Sequence, residues 1–89
     1  MATIAAYVAV ATLSFVNGEI FEAVGDGFET YDACMVQAEA DAKNMALAAE
    51  EQEKRLAHKV LKHINVECVF VDNFDGHTGY IPLEEYYGN

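Results

Sequence analysis

Residues 31–64 contain neither glycine nor proline. The stretch is rich in alanine and other strong helix formers, so nothing inside it is expected to end a helix. Its nonpolar positions recur at spacings of four and three, with one polar exception, at Ala38, Ala42, Met45, Ala49, Gln52, Leu56, Val60 and Ile64. We therefore predict a helix over residues 30–64, with Thr30 as its N-cap. A continuous helix of this length would measure about 50 Å, so we expect either a break near Asn44 or within residues 50–55, or packing of its free end on another chain.

The segment before this helix is predicted to form a β-hairpin. Residues 4–16 are rich in β-forming side chains. The run is too short for a bilayer-spanning helix, which needs about 20 residues, and it lacks the positive start of an export signal. Asn17-Gly18 then suits a two-residue turn. In that register one sheet face carries Tyr7, Leu13, Phe15, Ile20 and Val24.

The predicted fold is a single α+β domain spanning residues 1–89. The hairpin covers residues 1–24, where Gly25-Asp26-Gly27 is expected to end the second strand. Residues 65–82 contain a returning strand, a turn and a short edge strand ended by Pro82. Residues 83–89 form an acidic, aromatic tail. The order is therefore ββαβ, with a short fourth strand as an option, and the helix packs on an antiparallel or mixed sheet.

Two cysteines, Cys34 and Cys68, fall in the predicted helix and in the strand after it. A disulfide between the two elements is geometrically possible. The alternative is a pair of reduced, buried thiols, because nothing else in the sequence marks a secreted protein.

Charge restricts the partners that the chain can bind. The net charge is −10, and residues 1–42 carry seven acidic side chains without one lysine or arginine. Phosphate binding needs basic side chains, so we expect neither free nucleic acid nor a membrane as partner, but a protein with a basic surface. The candidate partner-binding residues surround the predicted hairpin tip and helix start: Glu19, Glu22, Asp26, Glu29, Asp32, Glu39 and Asp41.

Catalytic and metal-binding patterns are weak in this sequence. Ser14 is the only serine and falls within a predicted strand, and Arg55 is the only arginine. His58 and His63 are five residues apart, whereas the usual helical pair of metal-binding histidines is separated by four. We therefore expect no enzyme, no cofactor and no metal site.

In length, acidity and plain αβ architecture the chain resembles the small proteins with which bacteriophages inhibit host machinery, such as anti-restriction proteins, anti-CRISPR proteins and polymerase inhibitors. The resemblance implies a host cytoplasmic location. It also implies that carboxylates occupy a basic groove in place of DNA phosphates. The alternative is a homo-oligomeric structural or adaptor module, for example a homodimer, with its interface on the helix at Met45, Ala49, Leu56 and Val60.

Overall fold

The computed structural model describes residues 4–87 and confirms the predicted α+β class. A four-stranded sheet carries one long helix on one face and a short helix on part of the other. The elements are β1 (Ile4–Phe15), β2 (Ile20–Phe28), α1 (Tyr31–Leu56), β3 (Leu61–Phe74), β4 (Ile81–Pro82) and α2 (Leu83–Tyr87).

The sheet order is β3-β1-β2-β4, and all neighbouring strands are antiparallel. The molecule has two distinct ends. At the tip end, the β1–β2 turn lies beside the α1–β3 connection, where the Val16 N–H donates to the Val60 carbonyl at 2.9 Å. At the opposite end, β2 finishes, α1 begins, and Ile4 of β1 pairs with Phe74 of β3.

The β1–β2 turn contains one residue more than predicted. Phe15 donates its N–H to the Glu19 carbonyl at 2.9 Å, and its own carbonyl accepts from the Gly18 N–H at 3.0 Å. The loop is therefore residues 16–18, and Gly18 takes a φ of 94°, which favours glycine. The Asn17 side-chain oxygen supports the turn by accepting from the Glu19 N–H.

This extra residue shifts the hairpin register, so the predicted register is wrong. Leu13 pairs with Phe21 and Ser14 with Ile20. A shift of one residue moves every side chain of a strand to the other sheet face. Phe21 therefore lies on the same face as Leu13, and Ile20 lies on the opposite face.

The predicted end of the second strand at Gly25 is also wrong, because β2 continues to Phe28. The two glycines make room for aromatic rings. A Cβ on Gly25 would lie 2.7 Å from Cε1 of Tyr80, and one on Gly27 would lie 2.8 Å from Cδ2 of Phe74. The ladder to β1 shifts register at this point, as in a β-bulge.

The helix begins as predicted but ends earlier. The Thr30 hydroxyl accepts from the Ala33 N–H at 3.1 Å, which confirms the N-cap. The prediction of helix to residue 64 is wrong, because α1 ends at Leu56 and residues 61–64 belong to β3. Ala57 ends the helix in the left-handed conformation, at a φ of 61°.

On the helix side of the sheet, Ala9, Cys34 and Ala38 are fully buried. Cys34 of α1 and Cys68 of β3 form a disulfide with a Cα–Cα distance of 6.2 Å, so the two thiols are not free. The small side chains of Ala9 and Ala38 let the helix approach the sheet closely, and the bridge joins the two layers covalently.

The other sheet face is covered only at the end away from the hairpin tip. There Leu83 and Tyr86 pack against a second cluster of buried residues, namely Ala6, Val8, Val24 and Phe74. The predicted short edge strand is present as β4. Part of the predicted tail, Leu83–Tyr87, is helical, while residues 88 and 89 lie outside the described part of the chain.

Candidate partner-binding surfaces

The seven predicted acidic residues do not form one surface. Asp26, Glu29 and Asp32 lie where β2 ends and α1 begins, with Glu39 and Asp41 further along α1. Glu19 directly follows the turn at the opposite end, and Glu22 lies near the start of β2. Since β2 is nine residues long, about 30 Å separates the hairpin tip from the start of the helix. The acids predicted around the hairpin tip and those predicted around the helix start therefore lie at separate places on the molecule.

Two of the seven carboxylates hold the C-terminal segment in place. Asp26 Oδ1 accepts from the Gly79 N–H at 2.7 Å, and Asp41 Oδ2 accepts from the Tyr80 hydroxyl at 3.0 Å. Burial, and then the hydrogen bond to Asp41, raises the pKa of Tyr80, so the phenol stays protonated and donates. Asp26 and Asp41 therefore have a structural role within the fold.

The fold adds acidic residues that the sequence analysis did not select. β3 returns antiparallel to β1 and ends beside its start, which brings Asp72 and Asp75 to the end where α1 begins. We call this group the acidic end; it comprises Asp26, Glu29, Asp32, Asp72 and Asp75. All five are exposed. The sequence held one indication of this grouping: a third strand that returns antiparallel to β1 ends beside the start of β1, and its last acidic residues then lie at this end.

The basic residues lie away from the acidic end. Lys43 is twelve residues along α1 from Tyr31, or about 18 Å along the helix axis. The other four lie in the last turn of α1, the α1–β3 connection and the start of β3, at the tip end: Lys54, Arg55, Lys59 and Lys62. The helix N-terminus contributes only about half a positive charge, which offsets a small part of the five carboxylates.

Asp75 of the acidic end contacts His77. Its Oδ1 lies 2.7 Å from His77 Nδ1, and hydrogen bonds from the His77 ring and backbone N–H lower the pKa of Asp75. The His77 ring packs on Phe74 and Tyr86, with centroid distances of 4.9 and 5.5 Å. Its Nε2 lies 3.3 Å from the Val24 carbonyl. His77 thus joins the acidic end to the C-terminal segment. Within residues 4–87, no three His, Cys, Asp or Glu side chains form a group that could hold a metal ion.

The predicted oligomer interface on the helix is largely used inside the fold. Met45 and Ala49 are half-buried and lie on the same side of α1 as the buried Ala38, facing the sheet. Leu56, the last residue of α1, is 46% exposed. Val60 lies beyond the helix. A continuous helical stripe for a second copy is therefore not available.

A different nonpolar surface lies on the sheet. α1 covers the opposite face, and α2 covers only the end with Phe74. The rest of this face is open, with Ile20 near the hairpin tip 66% exposed and Val69, beside Val8 in the middle of the sheet, 39% exposed. Phe70, the next residue of the outer strand β3, lies on the face that carries α1 and is 61% exposed. Exposed nonpolar side chains on an outer strand are candidates for contact with another chain.

Comparison of the chain with protein families, curated proteins and solved structures finds no match. Among the described residues, no helix is long and nonpolar enough to span a membrane.

Proposed function

We propose that this chain is a small protein-binding domain that docks its acidic end on a basic surface of another protein. The observation that carries the proposal is the separation of charge. Five exposed carboxylates lie together at one end of the molecule, and the nearest lysine along α1 is Lys43. A field of one sign accelerates encounter with a surface of the opposite sign and makes binding sensitive to salt.

The resemblance to small phage inhibitors suggests the kind of partner. A host protein that handles nucleic acid has a basic groove for phosphates, and the carboxylates of the acidic end would occupy that groove. Binding would then exclude DNA or RNA from the same protein. Glu29, Asp32 and Asp72 are the main candidates for contact, because Asp26 and Asp75 also bond within the chain.

The test compares two variants of equal net charge. The first neutralises the acidic end with Glu29→Gln, Asp32→Asn and Asp72→Asn. The control neutralises three exposed acids elsewhere, with Glu19→Gln, Glu50→Gln and Glu51→Gln. Each variant and the wild type are immobilised, exposed to bacterial lysate, and washed at increasing salt. Circular dichroism verifies that all three are folded.

We expect the wild type and the control to retain the same nucleic-acid-binding protein, and to lose it at high salt. The acidic-end variant should retain much less. The captured protein, once purified, should release bound DNA or RNA when the wild type is added. Equal capture by both variants would refute the assignment of the acidic end, and simultaneous binding of nucleic acid would refute the inhibitory mechanism.

A further inference from the structure

The outer edge of β3 is an unpaired strand edge. β3 is 14 residues long and lies at the end of the sheet, with β1 as its neighbour. Within residues 4–87, no strand pairs with its other side. An outer strand presents a row of backbone N–H and C=O groups that can pair with another chain.

The central part of this edge is regular. The ladder between β3 and β1 shifts register near both ends, which leaves His63–Val71 paired continuously with Ala6–Ser14. These nine residues of β3 contain neither proline nor glycine. Natural outer strands usually limit pairing with lysine, proline or short length, but here Val69 and Phe70 are exposed on the two sheet faces. The edge therefore suits a partner strand.

The charge pattern of the molecule indicates what that partner is. An antiparallel pair of identical β3 strands would place the acidic end of one copy beside the tip end of the other. The tip end carries four basic residues, of which Lys62 lies near the start of β3, next to His63, and β3 carries Glu67 and Asp72 further along. Such pairing is thus complementary in charge, even though each copy has a net charge of −10.

Side-chain pairing, together with the length of regular strand that is paired, selects the register. With Glu67 on the two-fold axis, two carboxylates would lie directly opposite, which is unfavourable. With Cys68 on the axis, Asp72 would face the nonpolar Ile64. Asn65 on the axis would avoid both faults but would pair only His63–Glu67 of the regular stretch, whereas Val66 on the axis pairs His63–Val69. In the Val66 register the opposed pairs of this stretch and its neighbour contain no like charges and no carboxylate facing a nonpolar side chain: Asn65 with Glu67, Ile64 with Cys68, His63 with Val69 and Lys62 with Phe70.

We propose that two copies of this chain associate through an antiparallel β3–β3 contact centred on Val66, which joins their sheets into one of eight strands. The interface goes beyond the proposed acidic docking function, because its partner is a second copy. The two interactions are expected to respond differently to salt. Two copies of like net charge repel each other over distances longer than the Debye length, which is about 8 Å at physiological salt, so salt screens this repulsion. Moderate salt should therefore preserve the dimer while it weakens acidic docking.

The first test measures the oligomeric state of the purified protein by sedimentation equilibrium at several concentrations. We expect a wild-type dimer, and a dissociation constant at least about ten-fold higher for Val69→Lys/Phe70→Lys. The control Val36→Lys/Leu47→Lys makes the same charge change at exposed nonpolar positions of α1, which are 71% and 55% exposed. This control should remain a dimer. A monomeric wild type, or a dimer that the β3 variant leaves intact, would overturn the proposal.

The second test determines the register with cysteines at two exposed positions. In the Val66-centred dimer, Asn65 of one copy lies opposite Glu67 of the other, so a mixture of Asn65→Cys and Glu67→Cys chains should form a disulfide-linked dimer under mild oxidation. Each variant alone should link poorly. Efficient linking of Glu67→Cys to itself, or no linking in the mixture, would overturn this register. Both tests use the purified chain alone, so their outcome is independent of the acidic docking experiment.

Discussion

Glu53 connects the last turn of α1 to the start of β3. Its Oε2 accepts hydrogen bonds from the backbone N–H groups of Val60 and Leu61, each at 2.9 Å. These two bonds lower the pKa of Glu53 from its ordinary value, because they favour the charged carboxylate. One side chain thus satisfies two backbone donors in the connection that contains no glycine or proline.

We predict that Glu53→Gln destabilises the protein at neutral pH. A carboxylate whose pKa is lowered by folding contributes stability above its ordinary pKa, and this contribution is lost as the pH falls through the lower, folded value. The melting temperature of the variant should therefore lie several degrees below that of the wild type at neutral pH, and the difference should shrink below pH 4.5. Thermal unfolding followed by circular dichroism measures both. Glu51→Gln is the control. A decrease in melting temperature that does not depend on pH would contradict the role assigned to the Glu53 carboxylate.

Ala57 occupies a backbone conformation that favours glycine. Its φ is 61°, and its N–H donates to the Glu53 carbonyl at 2.8 Å. We predict that Ala57→Gly raises the free energy of unfolding by about 0.5–1 kcal/mol, because glycine adopts this conformation without steric cost. Urea denaturation measures the change. The control Ala48→Gly, at an exposed position inside α1, should lower stability by about 1 kcal/mol, and a loss at both positions would contradict the prediction.

At the scale of elements, the Cys34–Cys68 disulfide joins α1 to β3 across the two layers. The bridged residues are 34 apart in sequence and enclose most of α1 and the start of β3. A covalent link of this kind restricts the unfolded chain, which would otherwise separate helix and strand freely. The bridge favours an oxidising compartment over the predicted cytoplasmic location, because disulfides persist in oxidising compartments and are rare in the cytosol.

We predict that reduction of the bridge lowers the free energy of unfolding by about 2–4 kcal/mol. Urea denaturation with and without dithiothreitol measures the loss. Cys34→Ala/Cys68→Ala should unfold at a lower urea concentration than the oxidised wild type and should not respond to the reductant. A wild-type midpoint that does not change on reduction would show that the bridge contributes nothing to stability.

At the scale of the whole molecule, the chain reversals turn a charge pattern along the sequence into a charge separation in space. The molecule measures 46 × 29 × 17 Å. The acidic segments around Glu29 and Asp72 lie far apart in sequence but meet at one end, because β2 and β3 both run away from the hairpin tip. Most of the basic residues remain at that tip. The acidic end adjoins the β3 edge, because Asp72 belongs to both, whereas Glu29 and Asp32 lie outside β3.

The amino-acid sequence by itself determined the fold class, the hairpin, the Thr30 cap and the presence of a returning strand. These features depend on local propensity, on the period of nonpolar residues and on turn chemistry, all of which act between near neighbours. It also identified the acidic character on which the proposed function depends. It did not show that Asp26 and Asp41 bind Gly79 and Tyr80, since those partners are distant in sequence.

Tertiary structure decided the end of α1, the hairpin register, the role of the glycines and the grouping of the acids. Residues 61–64 continue the helical pattern of the sequence, but they form a strand because they pair with β1. Gly25 and Gly27 lie inside β2 because Tyr80 and Phe74 occupy the space beside them. Each of these outcomes depends on contacts between residues far apart in the chain, and a local pattern contains no information about which distant segment will supply the contact.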